Sequence, residues 1–153
     1  MNKKIVRDYS FNEFVKDINS FELESSIDTI LIIARGGLTL GHFLSVKFTI
    51  RNVVSVNVVS YNDNQQLEDV KISNIPSLES SKHSLIVDDI SDSGRTLTKV
   101  TNSITSKYPN LKLSTFTIFY KETSNFKPDT YLHKTDEWVE FFWEKITPSH
   151  TKY

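Results

Sequence analysis

The stretch Leu85-Ile86-Val87-Asp88-Asp89-Ile90-Ser91-Asp92-Ser93-Gly94-Arg95-Thr96-Leu97 decides how the chain reads. Leu85 to Val87 is an apolar run of strand type that delivers two adjacent acids at its carboxyl end. Asp92-Ser93-Gly94-Arg95-Thr96 then closes a loop of small residues where a helix begins. That helix is predicted over Thr96 to Lys107, with Leu97, Val100 and Ile104 on its buried face. Unpaired N–H groups at a helix start, with glycine and hydroxyls around them, make a phosphate cradle. The Gly-Lys-Ser/Thr ending of an ATP-type loop is absent, so backbone and hydroxyls would hold the phosphate. Two strand-end carboxylates beside it suit sugar hydroxyls or a hydrated Mg²⁺ ion.

The surrounding sequence repeats this grammar. Thr29 to Ala34 is a β-branched strand ended by Arg35-Gly36-Gly37, and Thr39 to Phe48 follows as a helix. Val53 to Val59 is a second valine-rich strand that runs into Ser60-Tyr61. Residues 61–83 form a long polar loop with one weak strand at Val70 to Ile72, and loops of that length are usually functional. Leu113 to Phe119 is a further strand, ending at Tyr120-Lys121. Ser10-Phe11-Asn12-Glu13 has the form of a capping box and opens a helix reaching about Phe21. Trp138 to Trp143 reads as a last strand and a cover over a site. Strands alternating with helices predict one α/β domain over residues 1–153, a mainly parallel twisted sheet flanked by helices. Ligands of such sheets bind outside the carboxyl ends of the strands. Here those ends carry a cation, hydroxyls, paired carboxylates and an amine.

Composition narrows the class. The chain has 153 residues, 38% hydrophobic and 24% charged, enough for one core. Eighteen basic and nineteen acidic residues leave a net charge of −1. That argues against a nucleic-acid or membrane-surface binder, both of which need a positive field. With no cysteine there is no disulfide scaffold, thiolate zinc site or cysteine nucleophile. The longest apolar run is too short to span a bilayer, and no apolar run follows the charged N-terminus. A cytoplasmic protein is expected. The four glycines, Gly36, Gly37, Gly41 and Gly94, all fall in two segments that follow apolar runs, which marks two ligand loops.

The segment from Leu85 to Leu97 resembles the phosphoribosyl-pyrophosphate motif of type I phosphoribosyltransferases. Ala34-Arg35-Gly36-Gly37 looks like the pyrophosphate loop of that family. Ser60-Tyr61 matches the dipeptide that opens the mobile hood of its 6-oxopurine members. Lys121, followed by Trp138-Val139, is similar to their base-recognition pair, and length and motif order match the short bacterial xanthine-guanine branch.

The resemblance implies that Asp88 and Asp89 hold the ribose hydroxyls, directly or through Mg²⁺, and that Asp92, Ser93, Gly94, Arg95 and Thr96 hold the 5′-phosphate. Arg35, Gly36 and Gly37, with Ser60 and Tyr61, would bind pyrophosphate, the Arg35-Gly36 bond often being cis in that family. Lys121 would bind the purine 6-oxygen, Trp138 would stack on the ring, the Val139 backbone would read the exocyclic position, and Glu144 would close the base pocket. Asp92 would take the proton at purine N7. The substrates implied are phosphoribosyl pyrophosphate and a purine base, and the family forms dimers or tetramers. The tail over residues 121–144 would thus carry base recognition and residues 61–83 the hood.

Two departures stand out. The hood of the xanthine-guanine enzymes carries an arginine after an Asp-Asn-Gln run, whereas here Asp63-Asn64-Gln65 precedes Gln66 and residues 61–83 contain no arginine. Lys71, the first cation of the loop, is the candidate replacement. The acid that closes the base pocket is aspartate in the family and glutamate here.

Plainer readings compete. Paired acids at a strand end also suit a phosphoacceptor site, which would leave the loop from Asp92 to Thr96 without a purpose. Trp138, Phe141, Phe142 and Trp143 suit a core or subunit interface as well as a base platform. His42, His83, His133 and His150 show neither metal spacing nor an acid partner in the sequence. A nucleotide-sensing regulator of the same fold is the alternative to an enzyme; it should show a basic face or an added nucleic-acid domain.

Overall fold

The computed structural model describes residues 6–61 and 69–146, with Tyr61 described through its backbone only. The hood residues Asp63 to Gln66 and His150 lie outside the described residues. Eleven elements follow in chain order: β1 (Val6–Tyr9), α1 (Phe11–Ser20), β2 (Thr29–Ala34), α2 (Leu38–Phe48), β3 (Asn52–Tyr61), β4 (Asp69–Ile72), β5 (His83–Ser91), α3 (Arg95–Lys107), β6 (Lys112–Tyr120), β7 (Thr130–Lys134) and β8 (Trp138–Phe141). A single 3-10 turn, Phe142–Glu144, follows β8.

Six strands form one sheet in the order β4-β3-β2-β5-β6-β7. All neighbours are parallel except β4, which runs antiparallel to β3. The central strands are apolar on both faces, as a sheet covered on both sides requires. Ile30, Ile32, Leu85, Val87, Phe116 and Ile118 pack with Phe14 and Ile18 of α1 and Leu40 and Leu44 of α2. Leu31, Ile33, Val56 and Ile86 pack with Leu97, Val100 and Ile104 of α3 on the other face. The two-residue period of the strands thus divides one sequence between two cores.

The structure extends the sequence expectation in three places. β5 runs through the acid pair to Ser91, because Asp88, Ile90 and Ser91 continue the register with Thr117, Phe119 and Tyr120 of β6. β7, only partly buried and carrying one aliphatic residue, adds an edge strand beside β6. β1 and β8 pair in parallel as a separate two-stranded sheet, Val6 opposite Trp138 and Tyr9 opposite Phe141. This last pairing joins the two ends of the described chain.

Ser10 caps α1 by accepting from the Glu13 N–H at 3.2 Å. The Glu13 carboxylate turns instead to Arg7, so only half of the expected capping box forms. At the other end of α1, the Lys47 ammonium of α2 donates to the carbonyls of Ile18 at 2.6 Å, Asn19 at 3.0 Å and Phe21. A cation there complements the partial negative charge of a helix C-terminus.

Two histidines have partners that the sequence did not reveal. His133 Nε2 lies 2.7 Å from Asp17 Oδ2, which also accepts from the Tyr9 hydroxyl at 2.6 Å. With Glu13 they form a carboxylate–histidine cluster. Since Glu13 is paired with Arg7, and Asp17 with Tyr9 and His133, the cluster braces β1, α1 and β7. His83, only 2% exposed, sits between Ser26 Oγ and Ser114 Oγ, each 2.8 Å from a ring nitrogen. Burial, and then the Lys112 charge, push its pKa down, against the pull of Glu24 and Asp28.

A histidine whose pKa falls on folding contributes stability at high pH. That contribution is lost as pH drops through the unfolded value of about 6.5, because the unfolded chain then binds the extra proton. Chemical denaturation between pH 8 and 5 is expected to show declining stability over that window, with a shallower decline in His83→Gln. Equal slopes in the two proteins would rule His83 out as the cause.

Candidate functional site

The site lies where β2 and β5, neighbours in the sheet, end side by side. Each strand is followed by a glycine-bearing loop and a helix. The loop Arg35-Gly36-Gly37 lies directly on the end of β5. A Cβ added at Gly36 would stand 2.7 Å from Oδ1 of both Asp88 and Asp89, and one at Gly37 would stand 2.4 Å from the Val87 carbonyl oxygen. Both glycines are therefore required by close approach. The peptide bond between Ala34 and Arg35 is cis. The resemblance puts a cis bond one residue later, at Arg35-Gly36.

The second loop turns at Gly94, whose φ of 85° lies in the left-handed region. It starts α3 with no side chain at the cap, and the Arg95 N–H donates to Ser93 Oγ at 3.3 Å. The first turn of α3 thus faces a cavity of about 440 Å³ lined by Asp88 to Gly94, Thr96 and Leu97. A second cavity of about 790 Å³ is lined by Arg35, Gly36, Leu38, Thr39, Asp89, Trp143, Glu144 and Ile146. Asp89 is common to both. A ligand with an anionic group at each end and hydroxyls between them matches this layout.

The acid pair is electrostatically costly. Asp88 is 7% exposed, and burial followed by the Asp89 charge holds its carboxyl well above the usual carboxylate range. Asp89 is pushed up to about 6, chiefly by burial, with the Glu144 charge adding to it. Two backbone N–H groups partly offset this: Asp89 N–H donates to Asp88 Oδ1 at 2.9 Å, and Ile90 N–H donates to Asp89 Oδ1 at 2.7 Å. Among the described residues neither carboxylate is in an ion pair. Hard oxygen donors whose charges oppose each other fit a divalent cation such as Mg²⁺, or a diol that donates to both.

Raising an acid's pKa on folding lowers stability as pH rises from its unfolded value, about 3.9, through its folded value. Asp89→Asn is therefore expected to melt a few degrees higher than the native protein at pH 8 in metal-free buffer, and the gain should shrink towards pH 4. A lower melting temperature at pH 8 would contradict this electrostatic account.

Lys121, just after β6, points back to the Gly94 loop. Its Nζ lies 3.0 Å from Asp92 Oδ1, with the lysine side chain 16% and the aspartate side chain 55% exposed. The structure thus brings together two residues that lie far apart in the chain. Trp138 is half exposed on β8, and Val139 is buried beside it. Glu144 lines the second cavity with Arg35 and Asp89, and its carboxylate lies 3.4 Å from the Phe141 N–H; Lys121 lines neither cavity. Ser60 is exposed, pairs with Val70 across β3 and β4, and lines neither cavity. Arg95 points to a groove with Asp69, Thr98 and Lys99. Lys71 lies on the continuation of that groove, with Ile75, Lys99 and Ser103.

Thr39, which the sequence reading does not single out, lines the second cavity. Its signal is a hydroxyl at a helix start just after Gly36-Gly37. Trp143, in the aromatic run read as a cover over a site, lines the same cavity.

Comparisons with known proteins identify the family. The model of the phosphoribosyl transferase domain matches residues 6–147. A xanthine-guanine phosphoribosyltransferase of Cereibacter sphaeroides is 32% identical over 116 residues, 73% of this chain and 66% of that protein. One from Idiomarina loihiensis is 27% identical over 118 residues, 75% of this chain and 70% of that protein. Among solved structures, a xanthine-guanine-hypoxanthine phosphoribosyltransferase of Helicobacter pylori superposes with a TM-score of 0.85 at 33% identity, covering 92% of this chain and 95% of that one. A purine phosphoribosyltransferase from Pyrococcus horikoshii shares the fold, with a TM-score of 0.78 at 23% identity and coverage of 95% of this chain and 99% of that one. A match over nearly the whole described chain, on a parallel sheet whose two glycine loops meet at a buried acid pair, places the chain in the phosphoribosyl transferase domain family.

Proposed function

We propose that the chain is a purine-salvage phosphoribosyltransferase, a pentosyltransferase that converts a 6-oxopurine and phosphoribosyl pyrophosphate to the nucleoside 5′-monophosphate and pyrophosphate. The observation that carries the reading is the contact of Gly36 with Asp88 and Asp89 between two cavities, with Lys121 and Asp92 paired at the edge of the first. The H. pylori and C. sphaeroides proteins, by their names, support the same class.

In this reading the first cavity takes the 5′-phosphate on the amides and hydroxyls of Ser93 to Thr96. Asp88 and Asp89 hold the ribose hydroxyls, and the pyrophosphate lies in the second cavity against Arg35, Gly36, Gly37 and Thr39. Mg²⁺ bound at the acid pair would neutralise charge on the pyrophosphate. Glu144, facing Asp89, belongs to this pyrophosphate side of the site. Lys71 lies elsewhere, so leaving-group charge falls to Arg35, the loop amides and the metal.

Lys121 binds the purine 6-oxygen, and Trp138 and Val139 supply the platform for the ring. The purine N9 lone pair forms the new bond to C1′ as the C1′–O bond breaks, and that electron pair leaves with pyrophosphate. The proton on N7 passes to Asp92, whose ion pair with Lys121 holds it on the side of the base. Positioning and charge neutralisation supply most of the acceleration, and no covalent intermediate is needed.

A screen of guanine, xanthine, hypoxanthine, adenine and uracil with phosphoribosyl pyrophosphate and Mg²⁺ tests the reading, with nucleotide formation followed by chromatography. One or more of the three 6-oxopurines should react, and adenine and uracil should not. Turnover of adenine at the rate of guanine would overturn the assignment.

A further inference from the structure

The turn after β6, which carries Lys121, is fastened to the Gly94 loop by backbone groups and by two serines, of which Ser91 lines the first cavity and Ser124 neither. Lys121 N–H donates to the Ser91 carbonyl at 3.1 Å, and Asn125 N–H donates to the Ser93 carbonyl at 3.0 Å. Two serine hydroxyls close the gap between these bonds. Ser91 Oγ, at the end of β5, donates to the Phe126 carbonyl at 2.7 Å and lies 2.8 Å from Ser124 Oγ. Ser124 Oγ in turn accepts from Phe126 N–H at 3.2 Å. The left-handed Gly94 rests on this clasp: a Cβ there would stand 2.7 Å from Ser124 Oγ and 2.5 Å from the Phe126 nitrogen.

The two sides of the clasp are anchored differently, the Gly94 loop by a buried element at each end and the turn by β6 and by Phe126, which packs against the same core as α3. The phosphate loop is anchored by buried β5 before it and by Leu97 and Val100 of α3 behind it. The turn from Lys121 to Lys127 is partly or fully exposed throughout. If the clasp is cut, the turn should shift and the phosphate loop should stay. The group displaced is then the Lys121 ammonium, which now lies 3.0 Å from Asp92.

We infer that Ser124, through Ser91, is a positioning residue that fixes Lys121 against the phosphate loop and so sets affinity for the purine 6-oxygen. The inference rests on the functional reading above. Ser124 lines neither cavity of the site; its neighbour Ser91 lines the first, and the KM for phosphoribosyl pyrophosphate reports any effect that passes that way.

The test measures kcat, both KM values and melting temperature for the native protein, Ser124→Ala, Lys121→Ala and the double variant, with whichever 6-oxopurine the native protein uses. Ser124→Ala should raise the KM for the purine about tenfold, a loss of the size of one hydrogen bond. The KM for phosphoribosyl pyrophosphate should stay within about twofold of native. In the Lys121→Ala background the same change should add nothing, because residues acting through one group are not additive.

An unchanged purine KM, an equal rise in both KM values, or a full additive effect in the double variant would each overturn the inference, whatever the melting temperature does. Failure of the native protein to use any 6-oxopurine would overturn the functional reading and this inference with it. An active native protein with an unaffected Ser124→Ala variant would overturn the inference alone.

Discussion

Asp92→Asn is expected to lower kcat by about 10²–10⁴-fold, the usual worth of a positioned general acid or base. The carboxylate is the proton acceptor at purine N7 in the proposed reaction, and an amide cannot take that proton. Its side chain is 55% exposed, so the variant should fold with nearly native stability. It should also keep its affinity for phosphoribosyl pyrophosphate, because the amides and hydroxyls of Ser93 to Thr96 remain. The loss of charge beside Lys121 should raise the purine KM as well, since the ammonium then has one fewer fixed partner. Single-turnover rates separate these effects from product release. A folded Asp92→Asn protein with near-native kcat would remove Asp92 from the proton transfer.

Gly36→Ala is the other large effect expected. The φ of Gly36 is not in the left-handed region, so alanine fits the backbone; the penalty is contact. The new methyl would meet Oδ1 of Asp88 and of Asp89 at 2.7 Å, well inside ordinary van der Waals distance. Either the carboxylates rotate away or the loop lifts off β5. Both outcomes displace the groups that hold the ribose and the pyrophosphate in the proposed function, and a misplacement of about 1 Å can cost 10²-fold. Affinity for phosphoribosyl pyrophosphate should therefore fall by about two orders of magnitude. The melting temperature should change little, because the loop is partly exposed and alanine lowers the entropy of the unfolded chain. Native affinity in this variant would show that the Gly36 contact is incidental.

Most of the sheet was legible because its signals are local. The runs Thr29 to Ala34 and Leu113 to Phe119 are rich in β-branched and aromatic residues over strand length and end at polar turns. Leu97, Val100 and Ile104 mark α3 by their spacing, and all three are buried. The acid pair and the glycine loops could be read for the same reason, as each motif is contiguous. β1 and β8 could not be read as partners, because four-residue strands with charged members carry little pattern and their pairing spans Val6 to Trp138. Lys121 and Asp92 belong to different loops, so their ion pair exists only once β5 and β6 are side by side. Glu144 illustrates the same limit: the resemblance assigns it to closing the base pocket, and only the fold shows that it shares a cavity with Asp89 and Arg35. Ser91 and Ser124 carry no sequence signal at all: each is an ordinary serine until the two strand ends meet.

In the proposed function one acid pair, seated between the Gly36 loop and the Gly94 loop, binds phosphoribosyl pyrophosphate across two cavities. Calorimetric titration of the native protein with phosphoribosyl pyrophosphate and Mg²⁺, with no purine present, is the sharpest check. Saturable binding with one site per chain is expected, weakened severely by Asp89→Asn and by Gly36→Ala and little changed by Ser124→Ala. No binding to the native protein, or binding that both Asp89→Asn and Gly36→Ala leave intact, would show that the acid pair is not the binding site.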